Sequence, residues 1–365
     1  MYARTGSMQS VVTYGRFLTR ALLNGVYNYT TSSEVGCVVR NSTCSTKRER
    51  DIRLLTASCG FPKDWSGFSA SLLRKGQFGD DACFIAKYKA SDVLGVADGV
   101  GGWRTYGIDP SLFSYSLMEI CERLVSTGHF NPQCPAGIIA TSYYELLESK
   151  QQILGSSTAC VIILNRTDHT VYTANIGDSG FLVVRQGRII HRSEEQTHYF
   201  NTPFQLSLSP PSVTGQVLSD SPESADTSSF QVQEGDLILV ATDGLFDNLP
   251  ENMILRELSK LRDQEMGNVQ QVVNSLALQA RRLAFDATYL SPFALRAREN
   301  GIDAVGGKPD DITILLASVG GRNNLDLQTV VAQSSTVILK PVVVASSHSE
   351  LNHLVKSWTY EDEVQ

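Results

Sequence analysis

The stretch SDVLGVADG, residues 91–99, decides how the rest of the chain is read. Val93-Leu94-Gly95-Val96-Ala97 is an apolar run of strand length, too short for a typical helix. It ends on a bare carboxylate, Asp98, followed by Gly99, Gly101, Gly102 and Trp103. GDLILVATDG (235–244) repeats the construction with Asp243 and Gly244. YTANIGD ends on Asp178, GDDACFIA opens on Asp80 and Asp81, and DDITILLA opens on Asp310 and Asp311. Five strand-like segments thus carry an acid at one end.

One Asp-Gly pair is ordinarily a turn or a cap. Five such ends imply more, because a sheet core that aligned them would gather several negative charges. Two unit charges ~4 Å apart repel by roughly 4 kcal/mol at an effective dielectric of ~20. Few basic residues stand near these acids in sequence, whereas divalent cations would offset them. Carboxylate, carbonyl and water oxygens suit Mg²⁺ or Mn²⁺. With no side chain at Gly99, a metal can approach the main-chain carbonyl closely.

The remaining pattern places these ends in a fold class. Strands are predicted over 82–88, 93–97, 157–165, 170–178, 180–190, 235–244 and 310–319. Helical periodicity covers 109–127, 135–153 and most of 251–286, with a break near Gly267, and Pro110 suits a helix start. Strands and helices come in blocks, which predicts an α+β fold with antiparallel sheets. Residues 205–229, rich in Ser and Pro, predict an exposed, mobile loop, a natural place for substrate recognition.

The chain has 365 residues, 42% hydrophobic and 19% charged, with a net charge of −7. No basic patch points to nucleic acid, and no apolar stretch is long enough for a membrane span. The seven cysteines are scattered and form no C-x-x-C pair, which favours reduced, mostly buried thiols. Residues 1–33 contain no Asp or Glu and carry Arg4, Arg16 and Arg20 among Ser, Thr and Tyr. That is the composition of a mitochondrial presequence, with a plain basic tail as the alternative. The N-x-[ST] triplets at Asn28, Asn41 and Asn165 then read as chance matches.

GDDA, GVADGVGGW, SSTA, ANIGDSG, ATDGLFD and KPDDITIL occur in the order and spacing of the metal-dependent type 2C protein serine/threonine phosphatases, and over about 66–320 the chain resembles that family. DGVGGW and HYFNTPFQL resemble its mitochondrial matrix branch, which is linked to coenzyme Q biosynthesis. The resemblance implies a central β-sandwich of two antiparallel sheets flanked by helices, with a cleft for two Mn²⁺ or Mg²⁺ ions at one edge. Composition predicts a presequence and linker over 1–60, and with the resemblance a catalytic domain is expected over 61–320 and a tail over 321–365. Asp98 resembles the carboxylate bridging both metals and Gly99 the carbonyl ligand of one. Asp243 and Asp310 resemble ligands on the other side, and Asp80 an acid acting through water. Asp178 and Asp243 match a pair associated with a weaker third ion. The implied reaction is hydrolysis of phosphoserine and phosphothreonine by direct attack of a water bridging the two ions, with Asp98 and Asp243 central to it. The implied partners are phosphorylated proteins, coenzyme Q biosynthesis proteins among them, and the implied location is the mitochondrial matrix.

Two departures stand out. Many relatives have a histidine where this chain has Val100, and His191 and His198 are the nearest replacements in motif terms. Relatives place a phosphate-binding arginine at the position of Gly76, so Arg74 or Lys75 is the expected substitute. Cys160 and Arg166 have the C-x₅-R spacing of cysteine-dependent phosphatases, but VIILN between them reads as a buried strand and not as a phosphate loop. Two further alternatives are a phosphatase-like binding module without catalysis and another two-metal phosphohydrolase such as a nuclease. The full set of acids opposes the first, and the lack of a basic surface opposes the second.

Overall fold

The computed structural model describes residues 52–64, 76–211, 217–261 and 266–321. Strands β1 (Ile52–Phe61), β2 (Gln77–Phe78), β3 (Asp81–Tyr88) and β4 (Ser91–Ala97) come first. A 3₁₀ turn over Gly101–Tyr106 leads into helices α1 (Pro110–Ser126) and α2 (Pro135–Glu148). Next are β5 (Gly155–Ser157), β6 (Ala159–Asn165), β7 (Thr170–Ile176), β8 (Gly180–Arg185) and β9 (Arg188–Arg192). Short strands β10 (Thr197–Tyr199), β11 (Thr202–Pro203) and β12 (Leu206–Leu208) precede β13 (Asp226–Gln231) and β14 (Leu237–Ala241). Helices α3 (Asp243–Phe246), α4 (Glu251–Leu258), α5 (Met266–Ala284) and α6 (Pro292–Glu299) separate β14 from the last strand, β15 (Ile312–Gly321).

Two antiparallel sheets carry the architecture, with strand orders β1-β15-β14-β8-β9 and β13-β7-β6-β4-β3-β2. Alternate residues of each strand point to opposite faces. Leu315, Ala317 and Val319 of β15 meet Leu94, Val96, Ile162 and Leu164 of the other sheet between the layers. Ile312, Ile314 and Leu316 face outward onto α3, α4 and α5. On the far side, Val93, Ala97, Val161 and Ile163 pack under α1 and α2. Both faces of both sheets are covered, so the central strands read as continuous apolar runs and not as the alternation of a half-exposed antiparallel sheet. The expected α+β sandwich is present.

The helices start where local chemistry dictates. The Asp109 side chain accepts from Ser111 N–H ahead of Pro110, and the Ser291 side chain accepts from Ala294 N–H ahead of Pro292.

Several boundaries differ from the sequence expectations. The domain does not begin at 61: β1 starts at Ile52 and pairs with β15 along its length, from Ile52↔Gly321 to Phe61↔Ile312. Residues 205–229 are not one loose loop. Leu206 and Ser207 of β12 are buried, and β13 pairs with β7 from Asp226↔Asn175 to Gln231↔Thr170. β13 is an edge strand whose Asp, Thr and Ser side chains are mostly exposed, so its composition imitates a loop. The segment 180–190 is a hairpin turning at Gln186–Gly187, α2 stops at Glu148, and α6 was not expected. Residues 1–51 and 322–365, where the presequence and most of the tail are expected, lie outside the described residues. No helix among the described residues is long and apolar enough to cross a membrane.

Candidate metal centre

Strand register brings the acids together. In one sheet, Ala82 at the start of β3 pairs with Ala97 at the end of β4, and Ala159 at the start of β6 pairs with Ile176 at the end of β7. Asp80–Asp81, Asp98 and Asp178 therefore emerge at one margin. In the other, Ala241 at the end of β14 pairs with Ile314 near the start of β15, which sends Asp243, Asp310 and Asp311 out at the same margin. The sheets are joined there: Thr242 Oγ1 donates to Asp81 Oδ2 at 2.8 Å, and Asp80 N–H donates to Asp311 Oδ2 at 2.6 Å.

The peptide at Asp98 is fixed on both sides. Its N–H donates to Thr158 Oγ1 at 3.0 Å, and its carbonyl accepts from Thr158 N–H at 3.0 Å and Ser157 Oγ at 2.8 Å. The Ser-Ser-Thr stretch is thus a clamp for the residue that ends β4. Gly99 N–H donates to the Asp80 carbonyl at 3.1 Å. A Cβ on Gly99 would stand 2.6 Å from Asp80 O and 2.8 Å from Pro110 O, so only glycine lets the chain pass.

One carboxylate oxygen from each of Asp98, Asp178 and Asp243 lies within 4.8 Å of the others. Asp178 Oδ1 and Asp243 Oδ1 are buried without a hydrogen-bond partner. Such atoms are costly unless something else satisfies them. An all-oxygen set of half-buried and buried carboxylates with orphaned acceptors fits a hard divalent cation. Asp310 belongs to the same cluster, since its charge acts on Asp98 and on Asp80.

The electrostatics show the strain of the gathered charge. Burial, then the neighbouring Asp243, push the Asp98 carboxyl well above the usual carboxylate range. Burial and Asp243 do the same to Asp178, and burial and Asp311 to Asp81. Burial pushes Asp247, Asp310 and Asp311 up to about 6. Asp243 moves down: burial opposes ionisation, but the charge and hydrogen bond of Lys308 outweigh it. Asp243 is therefore the member of the cluster that ionises most readily, whereas burial and mutual repulsion resist the charge on its neighbours.

Three participants were not expected. Lys308 sits among Asp243, Asp247 and Asp310, against the expectation that basic residues are scarce around the acids. It precedes Asp310 by only two residues. Asp247 lies one turn after Asp243 in DGLFD, on the same helical side, a spacing that could have revealed it. Arg104, from the turn after Asp98, contacts Asp80 Oδ1, and its side chain is 60% exposed.

The other expectations divide. Arg74 and Lys75 lie outside the described residues. At Gly76, φ is +77° and a Cβ would stand 2.3 Å from Cys83 O, so a side chain is excluded where relatives carry arginine. His191 stacks on Phe230 and His198 pairs with Asp220 at 3.0 Å, so both have structural partners. Cys160 is wholly buried between the sheets, and burial pushes its thiol up, out of nucleophilic use.

Comparison with known proteins gives a consistent picture. The family described as Protein phosphatase 2C matches residues 69–278. A Danio rerio protein named Protein phosphatase PTC7 homolog is 56% identical over 313 residues, which covers 86% of this chain and 98% of that protein. The Homo sapiens protein of the same name matches with the same identity and coverage. Among solved structures, the photosystem II phosphatase PBCP superposes with a TM-score of 0.60 at 26% identity, over 73% of this chain and 98% of that one.

Proposed function

The chain belongs to the protein phosphatase 2C family and is a protein phosphatase, and on that premise we propose that it hydrolyses phosphoserine and phosphothreonine with two Mn²⁺ or Mg²⁺ ions. In this reading Asp98, the Gly99 carbonyl, Asp243 and Asp310 hold the ions, Asp178 borders them, and Asp80 acts through water. The observation that carries it is the convergence of Asp98, Asp178 and Asp243 oxygens within 4.8 Å. The orphaned buried oxygens of Asp178 and Asp243 support it further. When bound, such ions neutralise phosphate oxygens and lower the pKa of water toward neutrality.

The chain's own residues do the positioning. Ser157 and Thr158 hold the Asp98 peptide, and Lys308 keeps Asp243 ionised. Arg104 is the described cation best suited to meet phosphate, with an exposed fork beside Asp80. Arg74 and Lys75 are the other candidates for that task. No residue need form a covalent intermediate.

The test is phosphate release from a phosphothreonine peptide by wild type and Asp243→Asn, with Mn²⁺ and with EDTA. Activity is expected only for wild type with Mn²⁺; activity indifferent to both EDTA and the substitution would refute the reading. The acid-free, arginine-bearing segment 1–33 extends the proposal to the mitochondrial matrix, and the resemblance to the matrix branch extends it to coenzyme Q biosynthesis proteins as substrates. Import of the full chain into isolated mitochondria, followed by N-terminal sequencing, tests the location; a chain left outside and uncleaved would overturn it.

A further inference from the structure

The acidic margin is not uniformly short of positive charge. Lys308 Nζ donates to Asp243 Oδ2, lies 2.7 Å from Asp247 Oδ2 and is 3.4 Å from Asp310 Oδ2. Its side chain is only 16% exposed. The second Asp247 oxygen, Oδ1, is taken by the Arg296 guanidinium, whose side chain also reaches Glu195 at 3.4 Å. Both oxygens of Asp247 thus face side-chain cations. Asp243 is split differently: Oδ2 goes to Lys308, while Oδ1 has no partner.

The lysine is held in this position. Its N–H donates to Asn248 Oδ1 at 2.9 Å, and Asn248 Nδ2 donates back to the Lys308 carbonyl at 2.9 Å and to the Gly244 carbonyl at 3.0 Å. Asn248 is wholly buried, so this bracket is rigid. The ammonium also lies 5.2 Å from the centre of the Phe293 ring, an additional attraction. An ammonium with three carboxylates around it and its backbone fixed at both ends makes the contacts a hard cation would make at that point.

We infer that the Lys308 ammonium is a permanent cation of the acidic margin, occupying the place between Asp243 and Asp247 that a further divalent ion would otherwise take. The inference rests on the metal-ion reading of the neighbouring carboxylates. It divides the cluster in two. The half built on Asp98, Asp178 and the free oxygen of Asp243 takes metal. The half built on Asp247 is already neutralised by Lys308 and Arg296, and a dication there would have to displace one like charge and sit beside another. A further ion that required Asp243 Oδ2 therefore meets a competitor within the chain.

The experiment counts Mn²⁺ ions per chain by calorimetry and by electron paramagnetic resonance, on the full chain, for wild type, Lys308→Met and Lys308→Arg. Met keeps a similar length without the charge, and Arg keeps the charge. Two ions are expected for wild type and Lys308→Arg, and one additional ion for Lys308→Met. An equal count in wild type and Lys308→Met overturns the inference. Wild type that binds no Mn²⁺ at all overturns the metal reading beneath it and is recognised as that. Should the Met variant fail to fold, crystals of wild type grown with Mn²⁺ decide by anomalous scattering. Nζ still within hydrogen-bond distance of Asp243 and Asp247 upholds the inference. A manganese peak between those two carboxylates, with the lysine displaced, overturns it.

Discussion

Arg104 shows how a single side chain connects the metal cluster to the outside. Its guanidinium contacts Asp80 Oδ1 while most of its side chain stays in solvent. A planar fork with donors to spare can hold an inner carboxylate and a phosphate together, which a lysine cannot reproduce. Replacing Arg104 by Gln should raise KM for a phosphothreonine peptide by about tenfold, the worth of one lost charge-assisted hydrogen bond. Lys at this position should recover part of the loss, and kcat should move less than KM. Steady-state kinetics of the three proteins check this, and an unchanged KM would transfer the task to Arg74 or Lys75. Nothing in the sequence around Arg104 announces the role, because its partner Asp80 is 24 residues away. Lys308 escaped for a related reason: Asp310 is close in sequence, but Asp243 and Asp247 stand more than 60 residues earlier and only folding brings them to its nitrogen.

At the level of strands and helices, the site is a product of register. β4 delivers Asp98 where it does because the following peptide is gripped by Ser157 and Thr158. Thr158 Oγ1 accepts from Asp98 N–H at 3.0 Å and shares a hydrogen with Ser179 Oγ at 2.8 Å. Thr158→Val keeps the shape and removes both bonds in a wholly buried place. It should cost about 1–3 kcal/mol of stability and weaken Mn²⁺ binding, read from urea midpoints and from metal titration. Unchanged midpoints would mean that Asp98 is not held from this side. The central strands were readable as short apolar runs bounded by acids and glycines, and that sufficed for the fold class and for the gathering of Asp98, Asp178, Asp243 and Asp310 at one margin. β1 lies in the segment read as linker, although its alternation of apolar residues with Arg53, Thr56 and Ser58 is a strand pattern. β13 was hidden by the polar side chains that an edge strand can expose. There, pairing with β7 overrides weak local composition.

For the molecule as a whole, gathering so many acids sets how stability varies with pH. Burial pushes Asp247, Asp310 and Asp311 up to about 6, from an unfolded value near that of a free carboxyl. Between roughly pH 4 and pH 6 the folded chain then binds more protons than the unfolded one, so their contribution is present at low pH and is lost as pH rises through about 6. Asp243, whose carboxyl is held down, acts in the opposite direction. Divalent ions compete with the same protons, so the stability they add should grow over that window. Thermal unfolding with EDTA and with Mn²⁺ at about pH 5 and about pH 7 measures this. The metal-free melting temperature should fall with rising pH, and the increment from Mn²⁺ should be larger at the higher value. A constant increment would show that the protons and the ions use different groups.

The pairing of β1 with β15 has a consequence for access. Ile52 and Gly321 lie opposite each other at one end of that ladder, while Phe61 and Ile312 close it beside the acids. About nine strand steps, roughly 30 Å, separate the two ends. The hairpin bends at Lys89 and at Gln186–Gly187 lie on the remote side as well. A tether, a fluorescent reporter or a solid support joined at Lys89 or Gln186, both exposed, would approach the domain from behind. The mouth would then stay clear for a partner as bulky as another folded protein.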